Sequence, residues 1–598
     1  MTNPKPPPPD RVNFVPGICI ILGIALLFAG RIWWRQAHYP HQIKKLAEEF
    51  SSLAIIQTQP LPNHAQTLFA MVHTTEHGVG VFLADAVTRT EKSLGEVKDF
   101  DYNARATALF GWSPDDKTFA CLWNGQLHLW NGDGTAEMPG SPFTLDTAFL
   151  TWLTPESFVA LDHVPIAHRF DNVAGHWQET GDWPLSGSDG APLALVPSGT
   201  NTIAWQTAKS IWQMDLASGE TKHLYSPSPG AIVSLSYSPE TAEFLAVINA
   251  GKAKVSSLVA ISRETGVQRT LPTDRWFIRD AQWLDQGQGY ALRAVVGDTT
   301  LIMAKTGENS GWQTFFRGGG AENMFSDGNS SHFYAFANAT NEPPGLWKCE
   351  ADNGNMEYTY PPWGNRDLPL HYQPAVVAYA PYARHNARYA LVSPPHYSRQ
   401  KKYPLLIGLA PYQWTPISYA TYAQCLAQCG AFVAFSGLSF GAEDATREAR
   451  FHDHTNNVLA IYNQLMENPN VDRQQVYLFA FSQSTTILDD LARDYPGLWR
   501  GVILLNPGGA PENLPRYASL QKVLVSAGQV ETWSWHRFAD YQNDLAKLGV
   551  SMEWYLHTDS AHFERAQSTL RERTLLMADF IFDGHDPGLS NLSNQPKP

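Results

Sequence analysis

Residues 476–496 read VYLFAFSQSTTILDDLARDYP. An apolar run, Val476 to Phe481, leads straight into a serine, and a helix-like pattern follows. That layout predicts a strand, a sharp turn and a helix, with Ser482 at the apex. The usual sequence of such a turn is G-x-S-x-G, in which the serine hydroxyl is thrust out at the top of a sheet. Here Ala480 and Ser484 stand where the glycines are expected. The turn brings strand and helix close together, so flanking side chains must be small. Ala480 and Ser484 meet that requirement; a leucine or glutamate at either position would exclude it.

The surrounding sequence alternates strands and helices from about residue 370. RYALVSPP, YPLLIGLA, AFVAFSG, GVILLN, KVLVSAG and MEWYLH read as strands. Helices are expected over ISYATYAQCLAQCG, from about Thr446 to Asn468, through DYQNDLAKLG, and from Arg565 to Phe580. Apolar strands without alternation, interleaved with amphipathic helices, indicate a mostly parallel sheet covered on both faces. This is the grammar of an α/β-hydrolase domain, expected over 370–583, with 584–598 as a disordered tail.

In that fold the catalytic groups follow the chain order Ser, acid, His. Beyond Ser482, the segment KVLVSAGQVETW puts Glu531 three residues past Gly528. After the last strand, MEWYLHTDSAHF offers His557 and His562, and His562 is the better base because it lies in the loop. A serine hydroxyl is a poor nucleophile until an imidazole takes its proton, and a carboxylate fixes the tautomer and stabilises the imidazolium. Read singly, Ser482 is an ordinary turn serine, Glu531 a solvated acid and His562 a surface histidine. The order and the preceding strands make them a set. One oxyanion donor is expected from the backbone N–H of Gln483, and the other from the loop GLAPYQW, through the N–H near Ala410 or the hydroxyl of Tyr412.

Upstream, between about residues 50 and 365, the sequence repeats. FGWSPDDKTFACLW, LTWLTPESFVAL, LALVPSGTNTIAW and LSYSPETAEFLAVI each pair two apolar strands across a turn. Pro114, Pro155, Pro197 and Pro239 are 41, 42 and 42 residues apart, and Asp285 to Asp327 is another 42. Second hairpins follow, as in IWQMDLASGETKHL. A period in the low forties with four strands per unit predicts a β-propeller, with seven blades if an irregular unit opens it around LPNHAQTLFAMV. A long β-sandwich would show no fixed period.

The N-terminus begins with a tail, 1–13, containing KPPPPD. Residues 14–34, FVPGICIILGIALLFAGRIWW, follow as an expected transmembrane anchor. They are 21 in number, against the roughly 20 a span needs, provided that Arg31 snorkels and Trp33–Trp34 lie at the interface. A cleaved signal peptide is the alternative, and Arg-Ile-Trp-Trp is a poor processing site for it.

In its order, anchor, propeller and hydrolase, the chain resembles the prolyl oligopeptidase family of serine peptidases, particularly the dipeptidyl peptidase IV and acylaminoacyl peptidase branches. The matching phrases are RYALVSPPHYSRQKKYPLLI, GAFVAFSGLSFG, NVDRQQVYLFAFSQS, the GQVE segment and DLAKLGVSMEWYLHTDSAHF. The resemblance implies hydrolysis of short peptides or blocked amino termini, with the propeller as a size filter. It makes Ser482 the nucleophile, Glu531 the acid where the family has Asp, and His562 the base. It also implies that the bulk of the chain lies outside the cytoplasm, and it is compatible with a homodimer. The chain departs from the family in its elbow glycines, its Glu acid, its oxyanion loop and Phe563 after His562. A catalytically inactive binding scaffold and an esterase or other acyl hydrolase share the same fold.

Composition narrows the partners. A net charge of −14 over 598 residues, without a basic stripe, excludes nucleic acid. Neither a metal nor an organic cofactor is expected, because no ligand cluster has suitable spacing. Cys19, Cys121, Cys349, Cys425 and Cys429 form no CxxC pair and read as buried thiols. The 20 tryptophans and 23 tyrosines favour a β-rich architecture or a peptide- or carbohydrate-contacting surface.

Overall fold

The computed structural model describes residues 61–582, apart from 97–108, 186–188, 250–254, 327–329, 339–344, 361–374, 410–423, 437–446, 508–516, 529–542, 558–566 and scattered positions of one or two residues. Among these, strands assemble into seven four-stranded antiparallel sheets followed by one eight-stranded sheet. The seven sheets span 61–96, 109–144, 147–184, 194–225, 231–271, 277–317 and 320–360, and each is built from four consecutive strands. They are the blades of a seven-bladed propeller. The irregular opening unit of the sequence is blade 1, whose first strand is only Leu61–Pro62.

Near-continuous apolar strands form here because both faces of each blade are buried. In the blade 5 strand Glu243–Asn249, successive side chains point to opposite faces. Phe244, Ala246 and Ile248 pack against blade 4, whereas Leu245 and Val247 pack against blade 6. The same alternation recurs around the ring and consumes much of the tryptophan. Trp112 and Trp123 fill the contact between blades 1 and 2, Trp152 and Trp177 that between 2 and 3, and Trp205 that between 3 and 4. The ring closes through Phe69, Met71 and Ala84 of blade 1 against Tyr334 and Leu346 of blade 7. Phe69 and Tyr334 meet edge to face at 5.6 Å. Among the described residues, no blade mixes strands from the two ends of the propeller, and apolar side chains pack across this seam. The turn between the third and fourth strands reuses one device, a glycine at positive φ. Gly219, Gly266 and Gly354 have φ of 71°, 72° and 76°. At Gly266 a Cβ would stand 2.6 Å from the Leu224 carbonyl oxygen.

The eight-stranded sheet contains β1 (Val376–Tyr382), β2 (His385–Val392), β3 (Tyr403–Leu409), β4 (Phe432–Ser436), β5 (Val471–Phe481), β6 (Gly501–Leu505), β7 (Lys522–Gly528) and β8 (Ser551–His557). Their order is 1-2-4-3-5-6-7-8. β1–β2 and β2–β4 pair antiparallel, and every other pair is parallel. The sequence reading missed β1, because Val376 and Tyr379 are exposed on an edge strand that also carries Pro381.

The helices that cover this sheet include α1 (Gln424–Gln428), α2 (Arg447–Met466), α3 (Thr485–Asp494) and α4 (Gln567–Phe582). β5 shows how they cover the sheet. Val476, Leu478 and Ala480 face the layer built from α2 and α3, while Tyr477, Phe479 and Phe481 face α1 and α4.

Cys121 and Cys349 are buried, and burial pushes both thiols upward in pKa. Cys429 departs from expectation: it is only partly buried, at the end of α1 beside the Gly430 turn. No helix among the described residues is long and apolar enough to cross a membrane, and the expected anchor, 14–34, lies outside them.

Candidate active site

β5 is the fifth strand in chain order and lies near the middle of its sheet, with partners on both sides. It ends at Phe481, and the next residue turns sharply. Ser482 has φ of 55°, left-handed backbone that a serine adopts only where its surroundings impose it. A single 3-10 turn, Ser482–Ser484, then feeds directly into α3. The strand–turn–helix expected of VYLFAFSQS is therefore present, with the strained residue at the serine.

The replaced glycines have specific accommodations. Ala480 is fully buried between Leu409 of β3 and Leu504 of β6, its neighbours in register. Ser484 is also fully buried. Its hydroxyl accepts the Phe481 N–H at 3.0 Å and lies 2.7 Å from the Phe481 carbonyl and 3.2 Å from the Leu409 carbonyl. A side chain where the usual turn has none thus brings its own partners. Below it, Thr485 donates to the Ser482 carbonyl at 2.7 Å, and buried Tyr517 donates to the buried Asp489 carboxylate of α3.

Gln483 is the middle residue of the turn, where the first backbone N–H groups of a helix have no intrahelical partner. Gly408 of the expected oxyanion loop still belongs to β3, and its missing side chain leaves room for the Phe435 ring; a Cβ there would lie 2.1 Å from it. Ala410, Tyr412, Glu531 and His562 lie outside the described residues. Both expected partner loops nevertheless start at described points: β7 ends at Gly528 and β8 at His557.

His557, the rival candidate for the base, is buried and engaged elsewhere. Its Nε2 lies 2.8 Å from Ser526 Oγ, and its Nδ1 lies 3.3 Å from the Glu572 carboxylate. Arg573 of α4, fully buried, donates from Nε to Ser526 Oγ at 3.1 Å and from Nη2 to Asn506 Oδ1 at 3.3 Å. Asn506 Oδ1 also accepts the Gly528 N–H at 2.9 Å. Sequence reasoning missed this network, whose members come from three strand ends and one helix. One signal was available: Leu570, Arg573, Thr574 and Met577 share a helical face that is otherwise apolar or neutral.

The propeller meets the hydrolase domain at α4. The Glu76 carbonyl accepts the Ser568 hydroxyl at 2.7 Å, and the Glu76 carboxylate pairs with Arg571. Three successive residues of α4 thus reach the propeller (Arg571), β8 (Glu572), and β7 with the end of β6 (Arg573). Among the described residues, no group of acidic, histidine or cysteine side chains is arranged to hold a metal ion.

Known proteins match this architecture by structure. No family sequence model matches the chain, and no curated protein matches it by sequence. The acylaminoacyl peptidase of Pyrococcus horikoshii superposes with a TM-score of 0.65 at 12% identity, over 92% of this chain and 98% of that one. Dipeptidyl peptidase 4 of Porphyromonas gingivalis gives 0.56 at 12% identity, over 88% and 90%. A prolyl endopeptidase gives 0.63 at 12% identity, over 93% and 95%. The fold of this chain, a seven-bladed propeller followed by an α/β-hydrolase domain, is therefore the fold of the prolyl oligopeptidase-type serine peptidases.

Proposed function

We propose that this chain is a serine hydrolase of the prolyl oligopeptidase family, acting as a peptidase on short peptides. The observation that carries the reading is the left-handed backbone of Ser482 between β5 and α3. At the apex of a strand–turn–helix, that conformation suits a nucleophile whose hydroxyl must stand clear of the sheet.

In this mechanism His562 takes the proton of Ser482 as Oγ attacks the scissile carbonyl, and Glu531 holds the imidazole tautomer and stabilises the imidazolium. The oxyanion of the tetrahedral intermediate accepts the Gln483 N–H and a second donor from Ala410 or Tyr412. Collapse of the intermediate breaks the peptide C–N bond. The leaving amine takes the proton from His562, and an acyl ester remains on Ser482. Water, deprotonated by His562, hydrolyses that ester and regenerates the serine. The propeller restricts access to short substrates. The segment 14–34 anchors the protein in a membrane, with its bulk outside the cytoplasm; this part rests on the sequence alone.

The test is labelling of the full-length protein with a fluorophosphonate probe, comparing wild type with Ser482→Ala. A covalent adduct that disappears in the variant supports the reading. Folded wild-type protein that takes no label overturns it in favour of an inactive binding scaffold. A panel of blocked peptides and p-nitrophenyl esters then separates a peptidase from an esterase.

A further inference from the structure

We propose that Arg573 is a positioning residue: through Ser526, Asn506 and His557 it fixes the ends of β6, β7 and β8 relative to one another. The inference rests on the hydrolase reading above, because the loops carrying Glu531 and His562 leave from the ends of β7 and β8.

A guanidinium at a fully buried helix position loses its hydration, and packed apolar groups at such sites are often as stable or more stable. The helix face around Arg573 contains Leu570, Met577 and Ile581, so a methionine would fit the pattern. Its specific return is geometric. One rigid fork bonds β7 at Ser526 and the residue after β6 at Asn506.

Both neutral partners extend the constraint to the points where the loops begin. Asn506, itself at φ of 42°, accepts the N–H of Gly528, the last residue of β7. Ser526 accepts from Arg573 Nε and reaches His557, the last residue of β8. Glu572 lies 3.3 Å from His557 Nδ1, so the ring stands between that carboxylate and the Ser526 hydroxyl. Acid and base must be held within a fraction of an ångström for an imidazole to serve Ser482, and this polar chain spans both departure points.

Substituting Arg573 leaves each neutral partner with another bond: Ser526 keeps His557, and Asn506 keeps the Gly528 N–H. The fold is therefore expected to survive Arg573→Met, and activity is not. The experiment measures the rate of fluorophosphonate labelling at Ser482 against pH, together with kcat and KM for a p-nitrophenyl ester, on full-length protein. Arg573→Met should label about 100-fold more slowly and lose kcat with little change in KM. Its acid limb should move as well, because the carboxylate that partners the imidazole is held less closely. Arg573→Lys should recover only part of the rate, since a point charge cannot reproduce the fork.

Ser526→Ala removes only the hydroxyl between Arg573 and His557, and should label about tenfold more slowly with the same displacement of the acid limb. It decides the matter if Arg573→Met does not fold. Wild-type rates and an unmoved acid limb in a folded variant overturn the positioning role while leaving Ser482 as nucleophile. Absence of label on the wild type itself overturns both.

Discussion

The hydroxyl of Ser484 stands 3.2 Å from the carbonyl oxygen of Leu409, tying the turn that contains Ser482 to the end of β3. The Ser484 hydroxyl oxygen also accepts the Phe481 N–H, so a side chain replaces the close backbone packing that a glycine would allow. Ser484→Ala strips a buried N–H of this partner and is expected to lower stability by about 1–3 kcal/mol. Ser484→Val, which lacks the hydrogen bond and adds a methyl group to a buried site, is expected to be at least as costly. Urea denaturation followed by tryptophan fluorescence measures both.

The left-handed backbone at Ser482 makes a prediction independent of catalysis. Alanine pays the same conformational cost there as serine, and glycine does not. Ser482→Gly should therefore be more stable than Ser482→Ala by about 1 kcal/mol, although neither can be labelled. Equal stability of the two variants would contradict the strain.

A histidine in blade 3 gives a pH-dependent expectation. His168 bonds Glu179 from Nδ1 at 2.8 Å and Asp162 from Nε2 at 3.3 Å. Burial disfavours its protonation, but the two carboxylates outweigh burial and raise its pKa. A raised folded-state pKa stabilises the protein fully below the unfolded value of about 6.5, and the stabilisation fades as pH rises through the folded value. The difference in melting temperature between wild type and His168→Gln should thus be larger near pH 5 than near pH 9.

At the seam between blades 1 and 7, Phe69→Ala removes a fully buried ring that touches Tyr334. The expected cost is about 3–5 kcal/mol. Because no described strand pairs across the seam, hydrogen exchange should quicken first in the strands Leu68–Thr74 and His332–Asn338. Uniform acceleration around all seven blades would show that the ring opens as a unit instead.

The blades were legible because one proline-centred turn recurs at 41 and 42 residues, and because an interblade strand must be apolar on both faces. The turn at Ser482 was legible through the smallness of Ala480 and Ser484. The partners of the Ser484 hydroxyl were not, since Leu409 lies 75 positions away in sequence. β1 escaped because Val376, Tyr379 and Pro381 do not look like a buried strand. The Arg573 network escaped for a related reason: Asn506, Ser526 and His557 become neighbours only when three parallel strands end side by side.

That no blade among the described residues is composite has a genealogical consequence. In a ring where one blade is assembled from both termini, a repeat cannot be added or lost at either end without breaking the closing blade. Here the described strands of every blade are consecutive in sequence, and the first and last blades meet through apolar faces. Unequal crossing-over between repeats can then change the perimeter of the ring one blade at a time, leaving the coding sequence of the α/β-hydrolase domain untouched.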